Sequence, residues 1–191
     1  MDTPPHAPPG PRRPLSPGRA LLVLYASTVA FTSASGAFLL LLPPYLEAHR
    51  YSLGAIGVLT SLVALLRLAS RVPVGAAYRA ARARWQYAGA LLMLAAATGG
   101  FALAGGRPLA VALLTAAHGF AFGSVSTLAL AIVIDLTRGE RAGTVIGWYT
   151  AALSAGYSLG AFAGGALADA VGIPGALALL GGLPALAAAA V

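Results

Sequence analysis

Apolar residues in this chain come in long, nearly unbroken runs, and the polar residues gather in the short breaks between them. The runs cover about 20–42, 53–77, 85–104, 108–134, 142–168 and 173–191. A helix needs about 20 apolar residues to cross a hydrocarbon core of roughly 30 Å, so each run has the length of one crossing. The pattern predicts an all-α fold, a polytopic membrane helix bundle of about six transmembrane helices. Pro43 and Pro44 set the predicted end of the first helix, because proline has no N–H to donate and crowds the carbonyl one turn back. Gly105, Gly106 and Arg107 break the chain before Pro108, which suits the first turn of the fourth helix. The short turn holding Arg79, Arg82 and Arg84 makes helices two and three antiparallel neighbours.

Composition sharpens this reading. Of 191 residues, 59% are hydrophobic and 9% charged, against about 25% charged in an ordinary soluble domain. A water-soluble globule is excluded, and so is disorder over most of the length. Residues 1–19 are the exception: they hold seven prolines and three arginines and read as a disordered Pro/Arg-rich cytoplasmic tail. There is no cysteine, which rules out a disulfide framework. His6, His49 and His118 are too scattered for a metal site, and no phosphate-binding glycine loop with a following lysine occurs. The expectation is a protein that is not an enzyme and uses no metal and no cofactor.

The formal charge is +7, and all twelve basic residues are arginine. They sit mostly at the ends of apolar runs, which fits membrane topology rather than nucleic-acid binding. Eight fall in the tail, the second break and the fourth break, against two, Arg50 and Arg107, on the other side. This bias predicts a cytoplasmic N-terminus and, after six crossings, a cytoplasmic C-terminus. The Ala, Gly, Pro and Arg bias without lysine suits a high-GC genome and a bacterial inner membrane.

Polar side chains within the runs are the candidate site. Tyr25, Thr28, Thr32 and Ser35 recur at spacings that place them on one face of helix one, and Thr115 and His118 share a face of helix four. These helices are expected to face a substrate path, and helices three and six to face lipid. Hydroxyls that bond their own backbone or tie helices together, and an imidazole bonded to a neighbouring helix, are the structural alternatives. Arg67 and Arg71 lie one turn apart on helix two, where a charge costs about 2.5–3.5 kcal/mol unless it pairs or snorkels. Arg71 is near enough to the end to snorkel. Arg67 is deeper and calls for an anion or a carboxylate, with Asp135 the leading protein partner. Hydroxyls, aromatics, an arginine and no buried acid favour a neutral or anionic small molecule over a cation. On helix five, Gly143, Gly147, Ala151 and Ala155 form one small-residue track and Gly156, Gly160 and Gly164 another, both suited to close helix contact.

Particular motifs resemble those of the major facilitator superfamily. Pro43 to Leu46 (PPYL), Tyr51 to Gly57 (YSLGAIG) and the Arg-rich turn after two helices are similar to its N-terminal half. Gly156 to Gly165 (GYSLGAFAGG) resembles the antiporter motif Gly-x-x-x-Gly-Pro-x-x-Gly-Gly, with Ala161 in place of Pro. Asp135 to Gly147 (DLTRGERAGTVIG) looks like the loop between helices four and five. Gly75, Arg79, Arg82, Arg84, Asp135, Arg138 and Arg141 thereby become candidates for a cytoplasmic gating region. Two departures limit the carry-over: Arg79 and Arg82 stand where the family's loop has Asp and Gly, and Thr115 stands where proton-coupled exporters carry Arg before the glycine at 119.

The resemblance implies a secondary active transporter working by alternating access, with efflux of a small molecule the favoured direction. Full transporters of this kind have two six-helix halves, so a partner is expected beside the lipid bilayer and the substrate. That partner is a missing C-terminal half, as the bare end at Val191 suggests, or a second subunit of a dimerising half-size protein, with the helix-five glycines packing against it. A non-transport membrane subunit is a further alternative. A remote one is an intramembrane serine hydrolase using Ser35, beside Gly36, and His118.

Overall fold

The computed structural model describes residues 17–137 and 142–191. The predicted tail lies outside them except for residues 17–19, which are already helical. Helix α1 runs Pro17–Ala48, α2 Leu53–Ala69, α3 Arg71–Ala77, α4 Ala83–Gly99, α5 Phe101–Ala104, α6 Pro108–Thr137 and α7 Ala142–Ala190. Five spans are long and apolar enough to cross a membrane, with α2 joined to α3 and α4 to α5. The fifth of these is α7.

At about 1.5 Å per residue a straight α7 would be more than twice as long as the roughly 30 Å hydrocarbon core is thick. Gly172 resolves this. Its φ of 77° and ψ of 162° are non-helical, a conformation open chiefly to glycine, and it divides α7 into limbs 142–171 and 173–190. The first limb runs parallel to α1, since Gly156 meets Thr32 and Gly164 meets Ala37. The second runs back along α4, with Gly181 seated on Gly99. The described residues therefore run through the bundle in six helical passes.

The first helix does not stop at Pro43 and Pro44. It continues to Ala48, because proline's fixed φ is itself helical and only the N–H bonds are lost. Burial compensates: Leu42, Tyr45 and Leu46 are almost wholly enclosed and share a cluster with Phe101, Ala176 and Leu177. Just past its end Arg50 takes a left-handed φ of 62°, and Tyr51 N–H donates to the Leu46 carbonyl at 3.1 Å in the manner of a Schellman cap. The predicted single helix over 53–77 is interrupted at Ser70. Pro73 cannot donate to the Ala69 carbonyl, which weakens the ladder there.

Helices α4 and the second limb of α7 were expected to face lipid. Each is instead two-faced: Leu92, Met93, Leu179 and Leu186 point outward, while Tyr87, Leu91, Leu94, Ala176 and Leu177 are buried. Helix α1 is enclosed over residues 31–38 by α4, α6 and both limbs of α7. The start of α1, the 79–84 turn and the ends of α6 and α7 meet at one end, where Ala20, Arg84, Leu136 and Val191 border a common groove. At the other end Tyr51 donates to the Gly106 carbonyl at 2.9 Å, which ties the first outer turn to the next.

Candidate functional site

Two glycines on α6 bring α2 close enough to build the site. A Cβ at Gly119 would stand 2.6 Å from the Val63 carbonyl, and one at Gly123 would overlap Ser70 Oγ and the Arg67 carbonyl. That approach lays the Arg67 guanidinium over the Phe122 ring, with Cζ 3.9 Å from the centroid, a cation–π contact. From α7, Tyr157 completes the arrangement: Arg67 Nη1 donates to its hydroxyl at 3.1 Å, and its ring lies 5.8 Å from that of Phe122. Tyr157 is itself positioned by Gly36 of α1, where a Cβ would come within 2.5 Å of the Tyr157 carbonyl.

Arg67 Nε and Nη2 are buried and have no hydrogen-bond partner. An unmet buried donor costs about 1–3 kcal/mol, and more on a charged group, so this is the least satisfied polar group in the described structure. Asp135 is not its partner. That carboxylate accepts from Tyr78 Oη beside the 79–84 turn, and burial, with the bond adding to it, pushes the Tyr78 phenol above its ordinary range. One turn beyond Arg67, Arg71 borders a groove of about 480 Å³ with Ser126, Thr127, Tyr149, Leu153 and Ile134. Tyr149 there donates to the Ser126 carbonyl at 3.1 Å.

Thr28 and Thr32 are fully buried and donate to the carbonyls of Leu24 and Thr28 at 2.8 and 2.7 Å. Tyr25 is half-buried and donates to the Val145 carbonyl at 3.2 Å. Thr115 is buried, with no partner for its hydroxyl. His118 bridges three helices, with Nε2 3.3 Å from Ser35 Oγ and Nδ1 3.0 Å from Thr98 Oγ1. Thr98 already donates to the Leu94 carbonyl, so Nδ1 carries the proton toward Thr98 and Nε2 accepts from Ser35. The ring also stacks on Phe38 at 3.7 Å. Ser35 and His118 thus meet as a hydrolytic pair would, but both have no exposed surface and the third group is a threonine rather than a carboxylate. In this conformation the contact is a helix tie.

The glycine track on α7 faces inward. A Cβ at Gly156 would stand 2.7 Å from the Val29 carbonyl, one at Gly160 would overlap the Ser33 backbone, and one at Gly164 would lie 2.8 Å from Ala37 Cβ; Gly165 is looser, 3.8 Å from Leu40. The expectation that these glycines meet another half is therefore corrected: their neighbour is α1 of the same chain. The adjacent track of Gly143, Gly147, Ala151 and Ala155 is exposed. In the gating region, Gly75, Arg79, Arg82 and Arg84 are exposed. Gln86 organises that turn, accepting from Arg79 N–H at 3.2 Å and donating to the Ala77 carbonyl at 2.8 Å. Arg138 and Arg141 lie outside the described residues.

Sequence reasoning missed Phe122, Tyr157, Tyr149 and Thr98 as partners. Tyr157, a polar aromatic inside the glycine motif, carried a readable signal. The others are unremarkable until the helices are packed.

Long apolar helices packed side by side, with polar groups turned inward among them, define an integral membrane helix-bundle protein. Residues 21–191 match the Major Facilitator Superfamily, and the chain belongs to that family. No curated protein matches it.

Proposed function

We propose that this bundle is one half of a secondary active transporter that moves a small neutral or anionic molecule by alternating access, with efflux the favoured direction. The observation that carries the reading, beyond family membership, is Arg67: a cation inside an apolar bundle with two unmet donors is costly for a purely structural role. A second six-helix unit, in the same polypeptide or as a second subunit, completes the path. The exposed small track on α7 supports this, since nothing lies within 4 Å of a Cβ placed at Gly143 or Gly147, and such tracks seat helices closely.

In proteoliposomes, the full polypeptide is expected to exchange labelled carboxylates or neutral solutes down a gradient, and Arg67→Gln to slow anion exchange. Wild-type vesicles no leakier than empty ones to either class would sink the transport reading.

The membrane assigned is a bacterial inner membrane with the Arg-rich end in the cytoplasm, supported by the positive-inside bias. The cysteine-free sequence makes the orientation directly measurable. An impermeant maleimide is expected to label Arg107→Cys in intact cells and Ala81→Cys only after permeabilisation; the opposite pattern inverts the topology.

A further inference from the structure

The geometry points to an oxyanion-binding site on the free edge of Arg67, and we propose that it takes a carboxylate or phosphate-ester group through two parallel hydrogen bonds. The inference deepens the transporter reading and rests on it only for its physiological meaning.

The guanidinium is held on two sides. Phe122 covers its face and Tyr157 takes Nη1. The two donors left without partners are Nε and Nη2, and these belong to the same side-on edge of the group. Their N–H bonds point in nearly the same direction, which is the fork that matches the two oxygens of a carboxylate or phosphate. Ser70, which caps the helix carrying Arg67, donates to the Arg67 carbonyl at 3.1 Å rather than meeting the guanidinium.

The surroundings select for negative charge. Arg71 stands one turn away, and the neighbouring groove is lined by hydroxyl-bearing and apolar side chains with no carboxylate among the described residues. Of the acids in the described residues, Glu47, Asp135 and Asp169, none bonds to Arg67. The edge is shut off from water in this conformation, so an anion reaches it when the Arg67 side chain or the packing around it shifts. Binding there repairs the unmet donors, which gives the anion-bound arrangement its advantage.

Two sources share this chemistry: a soluble organic anion, and the phosphate of an anionic lipid. The test uses the full polypeptide in phosphatidylcholine nanodiscs, with benzoate as probe and benzamide as its neutral counterpart. Benzoate is expected to bind and to raise the melting temperature, and benzamide to do neither. Arg67→Gln should weaken benzoate about tenfold or more, as the loss of a charge-assisted pair implies. Arg67→Lys should not restore it, since an ammonium cannot offer two parallel donors. If phosphatidylglycerol in the discs stabilises wild type but not Arg67→Lys, while benzoate does nothing, the site stands and its natural ligand is a lipid headgroup.

The proposal is overturned if neither anion acts on wild type, or if either acts equally on the Arg67 variants. Should Arg67→Gln fail to fold, the benzoate–benzamide contrast and the lysine variant still decide. Benzoate binding without flux would keep the site and remove transport. Flux of neutral solutes indifferent to Arg67 would do the reverse.

Discussion

Replacing Gly160 by valine is expected to cost about 3 kcal/mol or more, the upper end for an overpacked core, and to leave little folded protein in membranes. The added Cβ would overlap the carbonyl, Cα and carbonyl carbon of Ser33. These are backbone atoms of a helix whose neighbouring residues 31–38 are all buried, so nothing flexible can give way. Separating α1 from α7 would in turn move Tyr157, which sits on Gly36 at the same crossing, and loosen its bond to Arg67. Two controls isolate the cause. Gly165→Ala meets only Leu40 at ordinary contact distance, and Gly147→Ala meets nothing; both should be neutral or stabilising by up to about 1 kcal/mol through helix propensity. Unfolding by SDS titration, followed by circular dichroism, separates the three. If Gly160→Val and Gly147→Ala behaved alike, the close α1–α7 crossing would be wrong.

Replacing His118 by alanine is the second large effect, expected at about 3 kcal/mol. Two contributions compete. Interhelical hydrogen bonds in membranes average only about 0.6 kcal/mol each, so the links to Ser35 and Thr98 account for the smaller share. The larger share is packing, because the ring is wholly enclosed and stacked on Phe38, and alanine leaves a cavity. His118→Leu, which refills most of the volume while losing both bonds, should therefore cost only about 1–1.5 kcal/mol. The same SDS titration measures both variants. Equal losses for alanine and leucine would mean that the hydrogen bonds dominate, and that the three-helix tie is chiefly polar.

Much of this architecture was legible because its signals are one-dimensional. The apolar runs, the Gly105–Gly106 turn and the arginine asymmetry each depend on what the residue is and where it falls along the chain. The misread first helix shows where such reasoning fails. A proline pair marks lost hydrogen bonds, but whether the helix continues past them depends on whether Tyr45 and Leu46 find a pocket, and that pocket comes from α5 and the far limb of α7. The helix-five glycines were readable as contact surface, yet their neighbour was not. Period alone says that a backbone comes close; it does not say whose.

The candidate site divides in the same way. Arg67 stood out in sequence, because a charge within an apolar run needs a partner wherever the fold puts it. Asp135 was the natural choice among the acids, but at its end of α6 it bonds to Tyr78. What meets Arg67 is a phenol and an aromatic face, from two different helices.

The sequence by itself determined the class of protein, an all-α bundle of long apolar helices, and the residue types that carry any chemistry, since hydrophobic length and charge act position by position. Only the tertiary structure decided which polar groups are satisfied and which edge of Arg67 is left open. Those depend on helix crossings where a glycine meets the backbone of a residue far away in the chain, and no local pattern encodes which residue that is.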